Sequence, residues 1–533
     1  MKIHKIPYQD LRFYSKIMKD YLDQKKSIEN LYHRFPTLNN FEKQIKEKST
    51  EWKNAGVKRD VLSEVLESQY DSLNNHRASL DNIEKLRDEN TFTVTTGHQL
   101  NLFTGPLYFL YKIASTINLC KKLTAEYPEN HFVPVYWMAT EDHDFEEIQY
   151  FNYGERKIVY DRGSSGAVGR LNTEGLDDIL DTFSNLLGNH QNAEDLKNLF
   201  KESYLKNKNL AAATRHLAHA LFGKYGLVII DADHPRLKSL ASTHFKEDML
   251  EHTAYQEVSQ MIQEMEGDYG IQVNPREINL FYLTDDLRKR IIKKEGQYLV
   301  DETTLVFSKT QLLTELKEHP ERFSPNVILR PLYQEVILPN LCCIGGGGEM
   351  AYWLELKSYF EKSKVTFPIL LLRNSAQLMT SKQIDKAHRL DLNLKDLYQK
   401  DFKLEEQVTR QISSIAIDFE PQKQHLEQQF RDLYSIARET EKSFETAVAA
   451  QEQKQINGLE HLEKRLLKAQ KRKLSDHTGR ALQLQSDLMP NGGLQERTTN
   501  FSLYYQKYGK DLIDQIMQSL DPLDLRFTII ELE

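Results

Sequence analysis

Cysteine is nearly absent from this sequence. Its 533 residues include only Cys120, Cys342 and Cys343, and two neighbouring cysteines cannot form a disulfide with each other without strain. No apolar run approaches the length of a membrane-spanning helix. Pro7 and Asp10 interrupt the basic start of the chain, where a signal peptide needs a continuous apolar segment. We therefore expect a cytoplasmic protein with no disulfide framework and no membrane partner.

An excess of positive charge is also missing. The net charge is −8, and 28% of the residues are charged while 40% are apolar. Nucleic-acid binding normally needs a basic surface, so we expect no nucleic-acid partner, although a local basic pocket is compatible with this balance. The composition is typical of a well-folded protein, and 533 residues exceed what one hydrophobic core usually organises. We predict two or three structural units.

Two motifs of polar residues follow two predicted parallel strands. Residues 91–96 are rich in β-branched side chains, residues 107–117 have apolar side chains at helical spacing, and residues 132–138 form a second apolar run. This order predicts a βαβ unit, whose parallel strands end at the edge of a sheet where ligand sites lie. Gly97-His98-Gln99 and Glu141-Asp142-His143-Asp144 directly follow the two strands, so we expect the two motifs to face each other.

Further apolar runs extend the predicted sheet. They lie at residues 226–231, 327–330, 341–344 and 367–373. Shorter segments that are typical of β-hairpins lie between them, at residues 157–160, 279–283 and 298–300. These patterns predict an α/β fold in which a parallel-sheet core carries inserted α+β connecting elements.

Glycine and proline become rare after about residue 385, where apolar residues alternate steps of four and three. This spacing indicates a coiled coil, with a seam at Leu426, Phe430, Leu433, Ala437, Thr440, Phe444 and Ala447. A break at Pro421 or at Asn457-Gly458 would turn the chain and make the coiled coil antiparallel. We predict four parts: a helical segment 1–88, a core 89–384, a coiled-coil arm 385–490, and a tail 491–533 that packs back on the core.

The first motif joins a strand to a helix. Its glycines permit close approach of the backbone, and a helix N-terminus offers N–H groups to an anion. We expect Gly97, His98, Thr104 and Gly105 to contact a phosphate or a carboxylate. A strand-to-helix turn in which His98 only caps or packs explains the same pattern.

The second motif, residues 141–144, places four ionisable side chains at a strand end. His143 suits a general base, and the carboxylates suit its orientation or the binding of a cation. An acidic cluster that stabilises a helix N-terminus is the alternative interpretation. A metal site would need further ligands, for which Asp231, Asp233 and His234 are candidates, but their spacing matches no zinc motif. Magnesium held by carboxylates and phosphates is easier to accommodate.

Two later segments carry further candidates. Arg330 follows an apolar run and could bind a carboxylate or phosphate through two hydrogen bonds, but an ordinary ion pair in the core fits equally well. Residues 345–348 are four glycines, followed by Glu349 and Tyr352. This combination suits a small polar substrate or an adenine ring, and a tight loop without a ligand is the alternative.

Six motifs, taken in order, resemble the bacillithiol biosynthesis cysteine-adding enzyme family over the whole chain. They are Thr96-Gly-His-Gln with Leu102 to Tyr108, Pro134 to Trp137 with Glu141 to Glu146, Pro275 to Phe281, Arg330 to Gln334, Gly345 to Trp353, and Leu494 to Arg497 with Phe501. One position departs from the family pattern, because His98 stands where the family often has glutamine. This departure puts in doubt any role that the two side chains would share.

The resemblance implies a Rossmann-like core with inserted connecting elements, an extended coiled-coil arm and a homodimer. It also implies a ligase that joins the carboxyl group of L-cysteine to the amino group of glucosaminyl-malate. A carboxylate must be activated before it forms an amide, so ATP or ADP is the expected cofactor, with Mg²⁺ as a further candidate. The sequence leaves activation as an acyl-adenylate and as an acyl-phosphate both open.

On this interpretation, His143, Asp142 and His98 are the catalytic candidates, and Arg330 and Glu349 orient the carboxylate and the amine. The expected substrate-binding residues are Gly97, Gln99, Thr104, Gly105, Trp137, Glu141, Asp144, Arg330, Tyr333, Gln334, Glu349 and Tyr352. The expected nucleotide-binding residues are Gly345, Gly346, Gln495, Glu496 and Arg497, of which the last three suit domain docking equally well. A metal-assisted hydrolase or transferase and a non-catalytic coiled-coil assembly protein are the alternative functions.

Overall fold

Two compact units make up the chain in the computed structural model, which describes residues 2–74 and 76–533. The first unit combines the residues up to Gln9 with Phe13–Leu378 and Gly493–Ile530. The second unit combines Asp10–Arg12, Met379–Gly492 and Glu531–Glu533. Residues 493–530 therefore belong to the same compact unit as the α/β core, although 114 residues of the second unit, 379–492, precede them in the chain.

Both helices and strands occur throughout the first 373 residues. Up to residue 126 they are β1 (Lys2–Pro7), α1 (Lys16–Leu22), α2 (Leu38–Glu51), α3 (Gly56–Tyr70), α4 (Arg77–Lys85), β2 (Thr91–His98) and α5 (Tyr108–Glu126). Up to residue 265 they are β3 (His131–Met138), α6 (Phe145–Ile148), β4 (Tyr150–Tyr153), β5 (Arg156–Val159), α7 (Leu176–Leu187), α8 (Gln191–Phe200), α9 (Leu210–Phe222), β6 (Val228–Asp231), α10 (Pro235–Leu240), α11 (Ser242–Glu251) and α12 (Thr253–Met265). Up to residue 372 they are β7 (Leu280–Leu283), β8 (Arg288–Lys294), β9 (Gln297–Val300), β10 (Val306–Phe307), α13 (Lys309–Glu318), β11 (Phe323–Pro325), α14 (Leu329–Ile337), β12 (Asn340–Gly345), α15 (Gly347–Leu354), α16 (Lys357–Ser363) and β13 (Ile369–Leu372).

The remaining elements are mainly helical. They are β14 (Ala376–Thr380), α17 (Ser381–Arg389), α18 (Asp401–Ile412), α19 (Glu420–Arg438), α20 (Lys442–Lys473), α21 (Ser475–Leu488), α22 (Ser502–Tyr508), α23 (Asp511–Ser519) and β15 (Arg526–Leu532). Among the helices that the structure describes, none is both long enough and apolar enough to cross a membrane.

A five-stranded parallel sheet forms the core of the first unit. Its strand order is β13, β12, β2, β3, β6, and all neighbouring pairs are parallel. The β-branched and apolar runs of these strands lie against α2 and α5, with Phe92, Val94 and Leu119 in one buried cluster. The prediction of a Rossmann-like α/β core is confirmed. Because all five strands are parallel, their carboxyl ends meet at one edge.

The predicted strand at residues 327–330 is wrong, because this segment leads into helix α14. The side-chain oxygen of Asn326 accepts hydrogen bonds from the backbone N–H groups of Ile328 and Leu329, at 2.9 and 3.1 Å. An asparagine that accepts these bonds stabilises the start of a helix. Pro331 lies in the first turn, where its missing N–H leaves no hydrogen bond unmade. Arg330 therefore projects from a helix and does not follow a strand.

The connecting segments contain the predicted β-hairpin material. Strands β4 and β5 form an antiparallel pair. A second five-stranded sheet has the order β10, β9, β8, β7, β11 and is antiparallel throughout. The prediction of inserted α+β elements is confirmed.

The second unit contains the coiled coil, packed around Phe430, Ala437 and Val448 of α19 and α20. Helix α20 continues through Asn457-Gly458, so the turn predicted there is wrong. Pro421 is the second residue of α19, where proline is tolerated because it lies in the first helical turn. The two helices join instead at residues 439–441, and the antiparallel arrangement of the coiled coil stays a prediction.

Candidate functional site

A cavity of about 930 Å³ opens at the carboxyl edge of the parallel sheet, within the first unit. It is lined by residues that follow β2, β3, β12 and β13 and by residues of the antiparallel insert. Twelve of the sequence-predicted site residues line it: Gly97, His98, Gln99, Trp137, Glu141, Asp142, His143, Arg330, Gly346, Glu349, Tyr352 and Arg497. The location follows the rule that ligands of open α/β sheets bind at the carboxyl ends of the strands.

The two motifs that follow β2 and β3 are in contact. Gly97 lies beside Trp137, and His98 beside Met138, in the register of the two strands. The side-chain amide of Gln99 donates a hydrogen bond of 3.0 Å to Oδ2 of Asp142. The prediction that the motifs face each other is confirmed.

His98 is a buried, neutral side chain with one open nitrogen. Its Nδ1 lies 3.0 Å from the backbone oxygen of Gln99, which can only accept, so Nδ1 carries the hydrogen and Nε2 a lone pair. No atom in the described part of the chain hydrogen-bonds to this Nε2. Burial lowers the pKa of His98 well below its usual value, and nearby Lys112 lowers it further. His98 lines the cavity, and its buried Nε2 is an acceptor that has no partner among the described residues.

His143 has the opposite arrangement. Its Nδ1 accepts a hydrogen bond of 2.8 Å from the guanidinium of Arg288, which can only donate. In the neutral ring the hydrogen must therefore sit on Nε2. Arg288 is itself held by Ser324 and stacks on the ring of Phe281, 3.9 Å from the ring centre. His143 offers a donor to the cavity.

Asp142 is tied into the loop that carries it. Its Oδ1 accepts the backbone N–H of His143 at 2.8 Å, and its Oδ2 accepts from Gln99. Burial alone would raise the pKa of Asp142, but the hydrogen bonds from His143 and Gln99 outweigh burial and hold the pKa well below its usual range.

Glu141 forms a buried ion pair with Lys238, the side chain of which is fully buried. Lys238 also contacts Asp233 at 3.0 Å, and Arg170 holds Asp233 from the other side at 2.8 Å. Burial raises the pKa of Glu141 to about 7, with Asp233 reinforcing this effect and Lys238 opposing it.

Lys112 and Arg330 hold the wall of the cavity formed by helices α5, α14 and α15. The ammonium group of Lys112 donates to the backbone oxygen of Gly97 at 2.6 Å and forms an ion pair with Glu349. The guanidinium of Arg330 donates to the hydroxyl of Tyr352 at 3.0 Å. Burial lowers the pKa of Lys112, although Glu349 opposes this effect.

Arg373, at the end of β13, anchors the segment after the coiled coil. Two of its nitrogens donate to the carboxylate of Glu496 at 2.7 and 3.0 Å. Its Nε is buried and has no hydrogen-bond partner among the described residues. The neighbouring Arg497 reaches the cavity as well.

Positive charge exceeds negative charge in the cavity lining. Its cations are Lys112, Arg276, Arg288, Arg290, Arg330, Arg373 and Arg497, against the carboxylates Glu141, Asp142 and Glu349. In the described part of the chain, Arg276 and Arg497 form no ion pair. Although the whole chain is acidic, this cavity is suited to a ligand with several negative charges.

Comparison with known proteins assigns the family. The model of the N-terminal Rossmann-like domain of bacillithiol biosynthesis BshC matches residues 1–374, and that of its C-terminal coiled-coil domain matches residues 376–532. The chain belongs to the BshC family. A relative from Flavobacterium johnsoniae is 55% identical over 98% of this chain and 99% of its own length, and one from Christiangramia forsetii is 53% identical over 98% of each. Both relatives carry the name "Putative cysteine ligase BshC".

Thr104 and Gly105 do not line the cavity of this BshC family member. The backbone oxygens of Phe103 and Gly105 accept from the side chain of Asn500, and Thr104 is buried. The backbone N–H of Leu107, just before helix α5, donates to the backbone oxygen of Thr499. The loop and the residue before α5 therefore bind the C-terminal segment of the chain.

Four more predicted residues in this BshC family member have structural roles outside the cavity. The hydroxyl of Tyr333 donates to the oxygen of Ala232, and the amide of Gln334 donates to Glu335. Asp144 caps helix α6, and Gly345 is the last residue of β12. Tyr333 and Gln334 lie on α14, whose start at Leu329 turns them into the core.

Gln495 and Glu496 also lie outside the cavity and hold the C-terminal segment of this family member against the core. Gln495 exchanges two hydrogen bonds with the backbone of Leu378. Glu496 accepts from Arg373, from the hydroxyl of Ser375 and from the backbone N–H of Ala376. Of the three predicted nucleotide-binding residues in this motif, only Arg497 reaches the cavity.

The metal ligands proposed from the sequence are occupied by other partners in this BshC family member. Asp231 accepts from the hydroxyl of Thr140, Asp233 pairs with Arg170 and Lys238, and His234 caps helix α10. The described residues contain no group of three or more His, Cys, Asp or Glu side chains that could hold a metal ion.

Several side chains of the site were not predicted from the sequence. They are Lys112, Arg288, Arg290, Arg373 and Lys238, and Arg276 was named only as part of a motif. Arg373 had the same signal as Glu141, since it follows an apolar strand. Lys112 is a lone lysine on a buried helix face, which is a weaker signal.

Proposed function

We propose that this chain is a ligase of bacillithiol biosynthesis that joins the carboxyl group of L-cysteine to the amino group of glucosaminyl-malate. Family membership and the names of its relatives support a cysteine ligase. The observation that carries the proposal is the cavity at the carboxyl edge of the sheet, in which seven cations surround three carboxylates.

The charges of the cavity match those of the two substrates. Cysteine contributes one carboxylate and the malyl group two, and arginine binds such groups through paired hydrogen bonds. Arg330 and Arg288 are the candidates for these contacts. The amino groups of both substrates suit Glu349 and Asp142, which face the same space.

A nucleoside triphosphate suits the wall formed by Gly346, Arg373 and Arg497. The buried Nε of Arg373 lacks a partner within the described residues, and the glycines of residues 346–348 begin helix α15, whose N–H groups favour an anion. These groups would hold the phosphates, and the nucleotide would supply the activation of the cysteine carboxyl group. Magnesium, which prefers phosphate and carboxylate oxygens, would be held with the phosphates by Glu349, the cavity carboxylate that contacts Gly346.

The remaining tasks belong to the side chains of the protein. The open Nε2 of His98 accepts a hydrogen bond from an ammonium or hydroxyl group of the substrate. The Nε2–H of His143 donates to an oxygen that gains negative charge during the reaction. Trp137 and Tyr352 line the cavity and exclude water from it.

A homodimer is part of the same proposal. Four large apolar side chains of α19 and α20 are between 43% and 57% exposed, namely Leu433, Ile436, Phe444 and Leu462. Exposed apolar side chains on one helical pair are typical of a surface that a second chain covers.

The experiment that tests the function supplies purified protein with ATP, L-cysteine and glucosaminyl-malate. We expect a new thiol whose mass equals that of the two substrates less one water, together with AMP or ADP. The nucleotide product distinguishes the two modes of activation. Absence of both products, with protein that is folded by circular dichroism, would contradict the proposal.

A further inference from the structure

Amide formation in this cavity requires a group that takes a proton from the attacking nitrogen. The uncharged amine forms a bond to the activated carboxyl carbon, and the bond from that carbon to the leaving oxygen breaks with its electron pair on the oxygen. The nitrogen then carries one hydrogen too many, which must pass to a base. Besides the cations, the side chains that could accept this proton at the cavity are His98, Glu141, Asp142, His143 and Glu349.

The histidines are poorly placed for this task. His143 could accept a proton only at Nδ1, and the guanidinium of Arg288 already donates to that atom. His98 has a free lone pair on Nε2, but Lys112 and Arg373 lie near it and oppose a further positive charge. A protonated His98 would be a buried positive charge beside those of Lys112 and Arg373. Both rings suit hydrogen bonding better than proton transfer.

Two of the carboxylates are also engaged. Asp142 uses both of its oxygens to accept hydrogen bonds from Gln99 and from the backbone of His143, which stabilises its ionised form. Glu349 accepts at Oε2 from both Lys112 and the backbone N–H of Gly346. A proton on Asp142 would displace one of these hydrogen bonds, and a proton on Glu349 would remove the charge that pairs with Lys112.

Glu141 differs from both because its ion-pair partner, Lys238, also pairs with a second carboxylate. Lys238 forms an ion pair with the buried Oε1 of Glu141, and 13% of the Glu141 side chain remains exposed at the cavity. Lys238 shares its charge with Asp233 and also donates to the backbone oxygen of Glu321 at 3.1 Å. One cation that serves two buried carboxylates leaves Glu141 able to accept a proton.

We propose that Glu141 is the general base of the amide-forming step and that Lys238 is its positioning residue. The N–H proton passes from the attacking amine to the free carboxylate oxygen of Glu141. Lys238 holds the other side of the carboxylate, and Asp233 and Arg170 hold Lys238 in turn. This inference rests on the proposed function, because it names a residue for that reaction.

A base at Glu141 gives a definite pH dependence. The groups that face it are Lys238 of α10, Asp233 before α10, Arg288 of β8 and Tyr333 of α14. Burial is the largest effect on Glu141, and together with these charges it raises the pKa of Glu141 to about 7. A base works only when it is deprotonated, so the rate of amide formation rises as the pH increases through about 7.

The test replaces Glu141 with glutamine, which keeps the shape and removes the base. We expect Glu141→Gln to lower kcat for the thiol product by about 10²- to 10⁴-fold and to abolish the rise near pH 7. Cysteine-dependent turnover of the nucleotide without the amine acceptor should continue, because activation needs no such base. Glu146→Gln, an exposed residue outside the cavity, is the matched control and should behave as the unchanged protein.

The outcomes separate the two proposals. If the unchanged protein forms no amide product, the proposed function fails; if it forms product and Glu141→Gln equals it in rate and pH profile, the assignment of Glu141 is overturned. Partial rescue of Glu141→Ala by formate would support a base at this position even if the glutamine variant is less stable. Loss of the rise near pH 7 in Glu349→Gln alone would transfer the role to Glu349.

The pH profile of a Lys238 variant tests the positioning role separately. Lys238→Met removes a cation beside Glu141, so the pKa of the base should rise and the increase in rate should move to higher pH. A residue that only supports the fold would lower the rate equally at all pH values. An unchanged midpoint of the pH profile in folded Lys238→Met protein would overturn the positioning role.

Discussion

His98 and His143 carry their ring hydrogens on different nitrogens. The backbone oxygen of Gln99 places the hydrogen of His98 on Nδ1, and the guanidinium of Arg288 places that of His143 on Nε2. The two rings therefore present an acceptor and a donor to the same cavity. The acceptor role of His98 needs an uncharged ring, and burial keeps the pKa of His98 well below its usual value.

Substitution of His98 tests whether an acceptor at Nε2 is what the substrate needs. In His98→Gln the amide oxygen can reach the place of Nε2, so we expect KM to stay within about threefold. His98→Leu removes the acceptor, and loss of one hydrogen bond, about 1.4 kcal/mol, should raise KM about tenfold. Steady-state kinetics on the purified variants measure both effects. His98→Asn places its amide near Nδ1 and should resemble the leucine variant; an unchanged KM in His98→Leu would contradict the role.

The residues predicted from the sequence are those that follow strands. Gly97 and Glu141 could be placed at one edge because the period and length of the apolar runs define parallel strands. Arg288 could not be placed there, because it reaches the cavity from the antiparallel insert. Local sequence patterns do not reveal where that insert lies relative to the parallel sheet. The partners of Glu496 were equally hidden, since 123 positions separate it from Arg373.

Among the elements, the apolar strands were predictable and the turns of the helical unit were not. β-Branched and apolar runs of four to eight residues have few alternatives to a buried strand. Asn457-Gly458 is a strong turn signal in isolation, but the surrounding 32-residue helix α20 overrides it. Tertiary packing and helix length decided this position, and neither is visible in a dipeptide.

Substitution of Gly458 tests whether helix α20 is continuous. It lies inside α20 with no atom within 4 Å of the place of a β-carbon, so alanine fits without a clash. We expect Gly458→Ala to stabilise the helix by about 1 kcal/mol and to slow amide hydrogen exchange across residues 442–473. Gly105→Ala is the opposite control, since Gly105 has φ of +61° and a β-carbon there would lie 2.7 Å from Asn101. Faster exchange in Gly458→Ala would contradict a continuous helix.

The two compact units of the molecule do not meet at the residue where the two family models meet. The boundary between the models falls at residue 375, whereas residues 493–530 belong to the first compact unit. The bidentate pair of Arg373 and Glu496 crosses the model boundary and lies inside that unit. Residues 1–374 alone would therefore contain a buried guanidinium without its carboxylate.

Removal of this carboxylate should destabilise the first unit. Glu496→Gln leaves the buried Arg373 without a charged partner, and we expect the free energy of unfolding to fall by about 3–5 kcal/mol. Denaturant unfolding followed by tryptophan fluorescence measures the change. Glu42→Gln, which removes an exposed ion pair with Lys46 on helix α2, should leave the unfolding midpoint unchanged. Equal effects of the two substitutions would contradict a stabilising role for the buried pair.

The order of the segments in the chain also has a consequence during synthesis. Arg373 leaves the ribosome 123 residues before Glu496, and at bacterial rates of elongation this delay is about 6–25 s. Throughout that interval the nascent sheet lacks the segment that covers Ser375 and the loop before α5. The incomplete unit exposes apolar surface for the whole time, so its yield in the cell should depend on chaperones that hold nascent chains.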